Sequence, residues 1–385
     1  MARQQHIAVI GAGLGGSAVA ALLGQAGHRV TVFEQSSTVT RLGAGIHLSP
    51  NVNRVLDRIG VLDTLVRVGA EPAAFTSRSF DTGELTGRLV LGQRARDEWG
   101  APYLTVHRGD FQSLLVDAIP AGALRMGKRV ADVRDRGDDV ELCFTDGTTA
   151  AFSFVIGADG VNSRVREILL GPEPAHYGGY VAHRAVFPTA RLNGLAIEDC
   201  VKWWTDTTHI IVYFLTRERH EFYVVTGVPV ATWDESGTSR PGDLPAMRAA
   251  FAGFEPRVQK ILDAIGDVSE WALLERPPLP LWNRGRIVLL GDACHPMKPH
   301  MGQGAAMAIE DGAVLARELS RGHTDIADAL AAYERRRKPR VTDVAESART
   351  NGRVYHFGDA MALLRDGSLR VASGAMLIER QSWIW

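Results

Sequence analysis

Residues 6–16 read HIAVIGAGLGG, a short apolar run followed at once by a glycine-rich turn. Gly11, Gly13 and Gly16 have the spacing G-x-G-x-x-G. The segment Ser17–Gln25 is rich in alanine and leucine and predicts a helix, which would begin directly after the turn. The order strand, turn, helix is typical of a nucleotide-binding α/β unit, because the glycines let a pyrophosphate approach the positive helix end.

The next strand supports this interpretation. Val30–Phe33 is β-branched and aromatic, and it ends at Glu34, near the expected offset of about 20 residues. An acidic residue at this point binds the ribose of a dinucleotide. The alternative is a glycine-rich turn in a fold without a nucleotide, and the agreement of all three elements argues against it. The unit does not distinguish NAD from FAD.

Length, charge and cysteine usage exclude several classes of protein. A chain of 385 residues predicts two packed domains, and a formal net charge of −1 without a basic block excludes a nucleic-acid binder. No apolar run of about 18 residues offers a membrane span, and no signal-peptide core precedes Gly11. Three widely spaced cysteines favour neither a disulfide framework nor a zinc site, so no metal and a cytoplasmic location are expected (Cys143, Cys200, Cys294).

The rest of the chain predicts a meander, a second sheet and further helices. Residues 128–156 predict a β-meander with a tight turn at Asp146-Gly147, and residues 180–275 predict an antiparallel sheet followed by helix. Asn51 and Asp110 are predicted as the N-caps of two further helices. The carboxyl end is predicted to be mostly helical.

Two further segments identify the cofactor. Residues 157–160 read GADG and are followed by Ser163 and Arg166, and residues 291–304 read GDACHPMKPHMGQG. With the amino-terminal turn, and in this order and spacing, they resemble the single-component aromatic flavoprotein hydroxylases typified by p-hydroxybenzoate hydroxylase. The resemblance implies an α/β fold with a Rossmann-like FAD-binding domain of that type, a mixed or antiparallel-sheet substrate domain, and carboxyl-terminal helices. It divides the chain into an FAD-binding domain (1–72, 100–178 and 275–350), a substrate domain (73–99 and 179–274) and a helical segment (351–385).

The same resemblance assigns cofactor contacts. Asp159 is associated with FAD and with the visiting nicotinamide, and Asp292 would bind a hydroxyl of the ribityl chain. Arg108 matches an FAD-contacting arginine at a helix start, and Arg41 is a weaker candidate of the same kind. The glycine-rich loop would face the flavin ring (Pro299, Gly302, Gly304). No second G-x-G-x-x-G unit is present, which fits a family in which NADH delivers hydride and leaves.

Four residues are candidates for the substrate site. His47 follows a glycine-rich run, His300 lies beside the flavin-facing loop, and His209 and Tyr213 would share one face of a strand. Taken singly, each could equally be a structural residue. Within the family, four runs most resemble members that act on a hydroxylated pyridine carboxylate of the 6-hydroxynicotinate type (residues 41–47, 200–204, 209–213 and 297–301).

That resemblance implies a decarboxylating hydroxylation by a flavin hydroperoxide, with NADH and dioxygen consumed and 2,5-dihydroxypyridine formed. His47 and Tyr213 match the catalytic pair, with His47 the proton acceptor. Four residues match positions that hold the substrate, where a histidine near neutrality would supply both hydrogen bonds and charge to the carboxylate (Thr105, Cys200, His209, His300).

Three positions depart from the family pattern, and several alternative functions remain. Ile210 and Ile211 stand where these relatives have methionine, and Gly302 where alanine is usual, so the substrate could be a close analogue. A benzenoid acid such as salicylate is the main alternative substrate. An NAD-dependent dehydrogenase leaves the two later segments without a role, and a non-catalytic flavin-binding protein is the remaining rival. A monomer or a homodimer is expected.

Overall fold

The computed structural model describes residues 5–41, 43–233, 237–323, 325–358, 361, 364–365, 367–368 and 383–385. In this part of the chain the helices, in chain order, are α1 Leu14–Gln25, α2 Pro50–Ile59, α3 Leu62–Val68, α4 Gln93–Trp99, α5 Arg108–Asp117, α6 Arg164–Leu170, α7 Leu244–Ala250, α8 Pro256–Asp263, α9 Gly304–Leu319 and α10 Ile326–Tyr355. The strands are β1 His6–Ile10, β2 Arg29–Phe33, β3 Gly45–Leu48, β4 Ala74–Ser79, β5 Leu85–Val90, β6 Leu104–His107, β7 Leu124–Arg125, β8 Val130–Asp135, β9 Val140–Phe144, β10 Thr149–Phe152, β11 Phe154–Gly157, β12 His176–Pro188, β13 Cys200–Trp204, β14 His209–Phe214, β15 Glu221–Pro229, β16 Ser239–Pro241, β17 Ser269–Glu275, β18 Asn283–Arg284 and β19 Ile287–Leu289.

The first sheet has the order β18-β19-β11-β1-β2-β7 and is parallel except at its β18 edge. Its central strands β1 and β11 are almost entirely apolar and buried, as expected for parallel strands covered on both faces. The helix α1 follows β1 and packs against α9 and α5. The predicted strand-turn-helix-strand unit and the α/β fold class are therefore confirmed.

A small antiparallel sheet, β10-β9-β8, lies beside the first sheet. The predicted meander is confirmed for these three strands, and Gly147 adopts the positive φ of 82° that its turn requires. The last predicted strand of the meander, Phe154–Gly157, instead pairs in parallel with β1. This strand brings the GADG segment to the carboxyl edge of the parallel sheet.

The second large sheet has the order β16-β17-β12-β15-β14-β13-β4-β5 and is antiparallel except between β13 and β4. Its strands come from residues 74–90 and 176–275. The apolar residues on one face, Val201, Trp203, Ile210, Val212 and Val224 among them, pack with α7 and α8 in one buried core. The alternate residues of these strands face the other way, toward the parallel-sheet domain.

The carboxyl-terminal part is helical as far as it is described. The helix α10 ends at Tyr355, and residues 361, 364–365 and 367–368 are also helical. The remainder of the predicted helical segment, residues 359–360, 362–363, 366 and 369–382, lies outside the described residues. Among the helices that are described, none has the length and apolar character to cross a membrane.

Candidate active site

One large cleft lies between the two sheets, with a volume of about 1230 Å³. It exceeds the roughly 300–1,000 Å³ of a pocket for one small ligand, so it has room for a cofactor and a substrate together. Its walls are the glycine-rich turn after β1, the loop that leads into α9, and the inward face of the eight-stranded sheet. The sequence-predicted segments therefore meet at one place.

The glycine-rich turn has the geometry that a pyrophosphate requires. Gly11 has a φ of +100°, and a Cβ on Gly16 would lie 2.0 Å from the carbonyl oxygen of Gly11. Nothing lies within 4 Å of a Cβ on Gly13, which opens onto the cleft at the start of α1. No side chain caps this helix, so the first N–H groups are available to an anion.

The two carboxylates predicted near this turn are both used to hold the loops. Glu34 accepts hydrogen bonds from the backbone N–H groups of Ala12 and Ser36, both at 2.9 Å. Asp159 accepts from the hydroxyl of Ser163 at 2.5 Å, and burial raises the pKa of its carboxyl. Neither side chain lines the cleft, although the neighbouring Ala158 and Gly160 do.

Asp292 and Arg108 differ from these two because both line the cleft. The carboxylate of Asp292 has no hydrogen-bond partner among the described residues, and burial raises its pKa while Arg108 and His295 oppose the rise. Burial likewise lowers the pKa of the Arg108 guanidinium. A carboxylate and a guanidinium that both face open space suit a ligand with hydroxyl and phosphate or ring acceptor groups.

The loop before α9 faces the same space with Pro299, Gly302 and Gly304. Gly302 is left-handed at a φ of +63°, and α9 begins without a side-chain cap. The side chain of Gln303 fixes this helix start through its amide group, which donates to Ser49 at 2.9 Å and accepts from Asn51 at 3.1 Å. Together with the open Gly13 and the free Asp292, this helix end fits a flavin dinucleotide extended along the cleft.

Arg41 lies outside the cleft. Its guanidinium binds Asp110 and Glu221 in ion pairs of 2.6 and 2.8 Å, and its side chain is about half exposed. It joins the start of α5 to β15. Arg41 therefore does not line the cleft with Arg108, although its backbone packs against the neighbouring Gly109.

His47 and Tyr213 come together at the centre of the cleft. Their ring centroids are 4.2 Å apart, and the Nδ1 atom of His47 is 3.1 Å from the hydroxyl of Tyr103. Among the described residues neither the Nε2 atom of His47 nor the hydroxyl of Tyr213 has a hydrogen-bond partner. Burial lowers the pKa of His47 to about 4 and raises that of Tyr213 well above its ordinary value. Both side chains are therefore neutral near pH 7.

A second group of rings lies along the same wall. His209 and His300 both line the cleft with ring centroids 5.6 Å apart, and the Nδ1 atom of His209 is 3.1 Å from Nε2 of His356. Burial lowers the pKa of His300 to about 4 and that of His209 well below 6.5. Both imidazoles are therefore neutral near pH 7 in this cleft, and the expectation that they supply charge to a carboxylate stays a prediction.

Thr105 and Cys200 are not brought to the cleft surface. Thr105 is fully buried and donates its hydroxyl proton to the carbonyl of Phe214 at 2.8 Å. Cys200 lies opposite Tyr213 on the neighbouring strand, 1% exposed in a small apolar cluster with Ala44. Cys200 therefore packs beside Tyr213 on the same face of the sheet, and Thr105 holds the strand through the Phe214 carbonyl.

The structure also separates the two isoleucines and adds residues that sequence reasoning missed. Ile210 belongs to the core on the far face of the sheet, whereas Ile211 lines the cleft. Tyr103 was missed because its contact with His47 joins residues far apart in sequence. Lys202 lay within the run Cys200–Trp204 that carried the resemblance, and a lysine among aromatic residues was the available signal.

Comparisons with known proteins agree with this geometry. A family model described as FAD binding domain matches residues 4–348. The chain is 52% identical over 356 residues to 6-hydroxynicotinate 3-monooxygenase from Pseudomonas fluorescens, covering 91% of this chain and 92% of that protein. It is 36% identical to 3-amino-4-hydroxybenzoate 2-monooxygenase PtmB3 from Streptomyces platensis, over 99% of this chain and 95% of that protein. A solved structure, Klebsiella pneumoniae HpxO complexed with FAD and uric acid, is similar with a TM-score of 0.87 and 28% identity, covering 99% and 96% of the two chains.

Proposed function

We propose that this chain, which belongs to the FAD binding domain family of flavin-dependent aromatic monooxygenases, converts 6-hydroxynicotinate to 2,5-dihydroxypyridine. The reaction consumes NADH, two protons and dioxygen, and it releases NAD⁺, carbon dioxide and water. The observation that carries the proposal is the pairing of neutral His47 with Tyr213 beside the loop that enters α9. The similarity to 6-hydroxynicotinate 3-monooxygenase covers 91% of this chain and supports this substrate.

The cofactor would be held by three groups of residues. The open backbone at Gly13 and the uncapped start of α1 suit the pyrophosphate, and Asp292 suits a ribityl hydroxyl. The residues Gly302–Gly304 and the start of α9 would lie against the ring. When bound, FAD accepts hydride from NADH and activates dioxygen so that one oxygen atom reaches the substrate.

The chain's own residues would prepare the substrate ring. If Nδ1–H of His47 donates to the Tyr103 hydroxyl, Nε2 keeps its lone pair toward the cleft and accepts the proton of the ring hydroxyl. Removing that proton increases the electron density at the ring carbon para to the hydroxyl, which carries the carboxylate. The hydroxyl of Tyr213 would orient the same oxygen, since it has no other partner among the described residues.

His209 and His300 would hold the far side of the substrate. Both face the cleft as neutral imidazoles, so each ring can donate one hydrogen bond and accept another. Oxygen adds at the carbon bearing the carboxylate, and the electrons of the carbon–carbon bond return to the ring as carbon dioxide leaves.

A cytoplasmic location suits the supply of NADH and the three free cysteines.

The test is NADH oxidation by the FAD-loaded protein with 6-hydroxynicotinate, salicylate and no substrate. We expect stimulation by 6-hydroxynicotinate, NADH preferred to NADPH, and a product mass that has lost the carboxylate and gained oxygen. Stimulation by salicylate alone would assign the benzenoid alternative. A bound flavin that neither compound stimulates would favour a non-catalytic flavin protein.

A further inference from the structure

Lys202 lies at the middle of β13 and faces the cleft. It is opposite Ile211 on β14 and Ser77 on β4, so along β14 it lies between the positions of His209 and Tyr213. Its side chain therefore lies between the pair His47 and Tyr213 and the group of three histidines, His209, His300 and His356.

Three aromatic rings surround the ammonium group of Lys202. The Nζ atom is 4.0 Å from the ring centroid of Trp204, 4.5 Å from that of Tyr355 and 5.3 Å from that of Phe75. Ring faces stabilise a cation but accept no conventional hydrogen bond, so the three N–H donors of the ammonium still need acceptors.

In the part of the chain that the structure describes, no carboxylate forms an ion pair with Lys202. Three other lysines do have such partners: Lys128 with Asp146, Lys298 with Glu275 and Lys338 with Glu334. A lysine below the surface normally requires an opposite charge or a hydrogen-bond partner. The group that Lys202 lacks is an anion, and the cleft is the space from which an anion could reach it.

The neighbouring histidines do not replace this charge. The pKa of His300 is about 4, and that of His209 is well below 6.5, so both are uncharged near pH 7. Arg365 contacts the ring of Trp204 and donates to the carbonyls of Val354 and Tyr355. Arg184 also lines the cleft, but it lies on β12, three strands away, over the ring of Trp271. Lys202 is therefore the described cation of the cleft that lies beside His209 and meets a ligand there.

We propose that the ammonium of Lys202, held by Phe75, Trp204 and Tyr355, binds the carboxylate of the aromatic substrate and makes the site selective for ring acids. The proposal rests on the proposed function for the identity of the acid. It deepens that function by assigning the carboxylate to a residue outside the histidine set.

The first arm of the test compares a ring acid with the same ring lacking the acid. Dissociation constants of 6-hydroxynicotinate and 2-hydroxypyridine are measured from the flavin absorbance change of the FAD-loaded protein. In Lys202→Met we expect the constant for the acid to rise about 10- to 100-fold, as for loss of a charge-assisted hydrogen bond. The constant for 2-hydroxypyridine should change by less than about twofold. Lys260→Met, on the exposed side of α8 behind the sheet, is the matched control and should change neither.

The second arm uses pH and needs no neutral variant. Burial lowers the pKa of Lys202 to about 7, so the wild-type protein should bind the acid more weakly as pH rises from 7 to 9. In Lys202→Arg the charge persists, and the pH dependence should disappear. The other described titratable groups near Lys202 keep their charge state between pH 7 and 9. The pKa values of three of them are lowered (His209, His300, His356), and those of two are raised (Cys200, Tyr355).

The outcomes separate this proposal from the proposed function. Equal weakening of both ligands by Lys202→Met, or none, would overturn the carboxylate role, as would acid binding that is independent of pH in the wild-type protein. If Lys202→Met loses its flavin, Lys202→Gln and the wild-type pH series still decide the question. A protein that binds the acid with the expected pattern but does not hydroxylate it would contradict the proposed function and support the role of Lys202.

Discussion

The approach of His209 to Gly227 allows the substrate site to be perturbed without changing any group that contacts substrate. A Cβ built on Gly227 would lie 2.1 Å from Cε1 of His209, whereas ordinary contact begins at 3.4 Å. The imidazole would have to move by about 1.3 Å, the difference between these two distances. Because His300, Tyr355 and His356 enclose the ring, there is little free space to receive it.

A displacement of about 1 Å in a positioning group can lower the rate about 100-fold. We therefore expect Gly227→Ala to lower kcat/KM for 6-hydroxynicotinate by about 10- to 100-fold, measured by NADH oxidation, while the flavin content stays unchanged. Gly253→Ala is the control, since nothing lies within 4 Å of its Cβ. The double variant Gly227→Ala with His209→Ala should be no slower than His209→Ala alone. Additive losses, or an unaffected Gly227→Ala, would refute the argument that the glycine serves the histidine.

Four further predictions concern the catalytic pair, the cofactor and pH. His47→Gln should lower kcat about 10²- to 10⁴-fold with flavin retained, because a general base is lost; loss of flavin would instead make His47 a cofactor support. In the wild-type enzyme the rate limb due to His47 should fall as pH drops through about 4, and a limb near 6.5 would contradict the buried neutral base. Asp292→Ala should lose FAD on dialysis while Asp139→Ala, on the surface, keeps it; equal retention would remove the ribityl role. Because His47 and His300 have folded pKa values of about 4 against 6.5 when unfolded, the unfolded chain binds more protons between these values. The free energy of unfolding should then fall by up to about 1.4 kcal/mol per pH unit per histidine as pH drops below 6.5, and urea midpoints that stay constant from pH 7 to 5 would contradict this.

Local sequence patterns predicted the strand-turn-helix-strand unit because every part of it is contiguous. The N-caps were predicted less well. The helix expected to begin after Asn51 has Ser49 as its N-cap, and Asn51 instead bonds Gln303 and Glu310. The helix assigned to Asp110 is capped by the ring of His107, which accepts from the N–H of Gly109, while Asp110 binds Arg41. In both cases the side chain that the local pattern predicted as a cap instead binds a residue distant in sequence.

The candidate site shows the same limit. Alternation along β14 correctly places His209 and Tyr213 on one face, and it also separates Ile210 from Ile211. Alternation gives the face of a residue but not whether another strand covers it. For that reason Cys200, on the same face as Lys202, is covered by its neighbours and Lys202 is not. The charge of the histidines was unpredictable for a related reason, since desolvation depends on the whole enclosure of the cleft.

The electrostatic character of the site follows from these two facts taken together. Enclosure keeps His47, His209, His300 and Tyr213 neutral, and Lys202 is a cation of the cleft that lies between His209 and Tyr213 along the sheet. The proposed carboxylate contact neutralises that cation, and the attraction is stronger than in bulk water because Lys202 is partly buried. When carbon dioxide leaves, the ring product retains no carboxylate for Lys202 to hold. The reaction thus removes the group by which the substrate was selected, and the proposed charge arrangement favours binding of the acid over retention of the product.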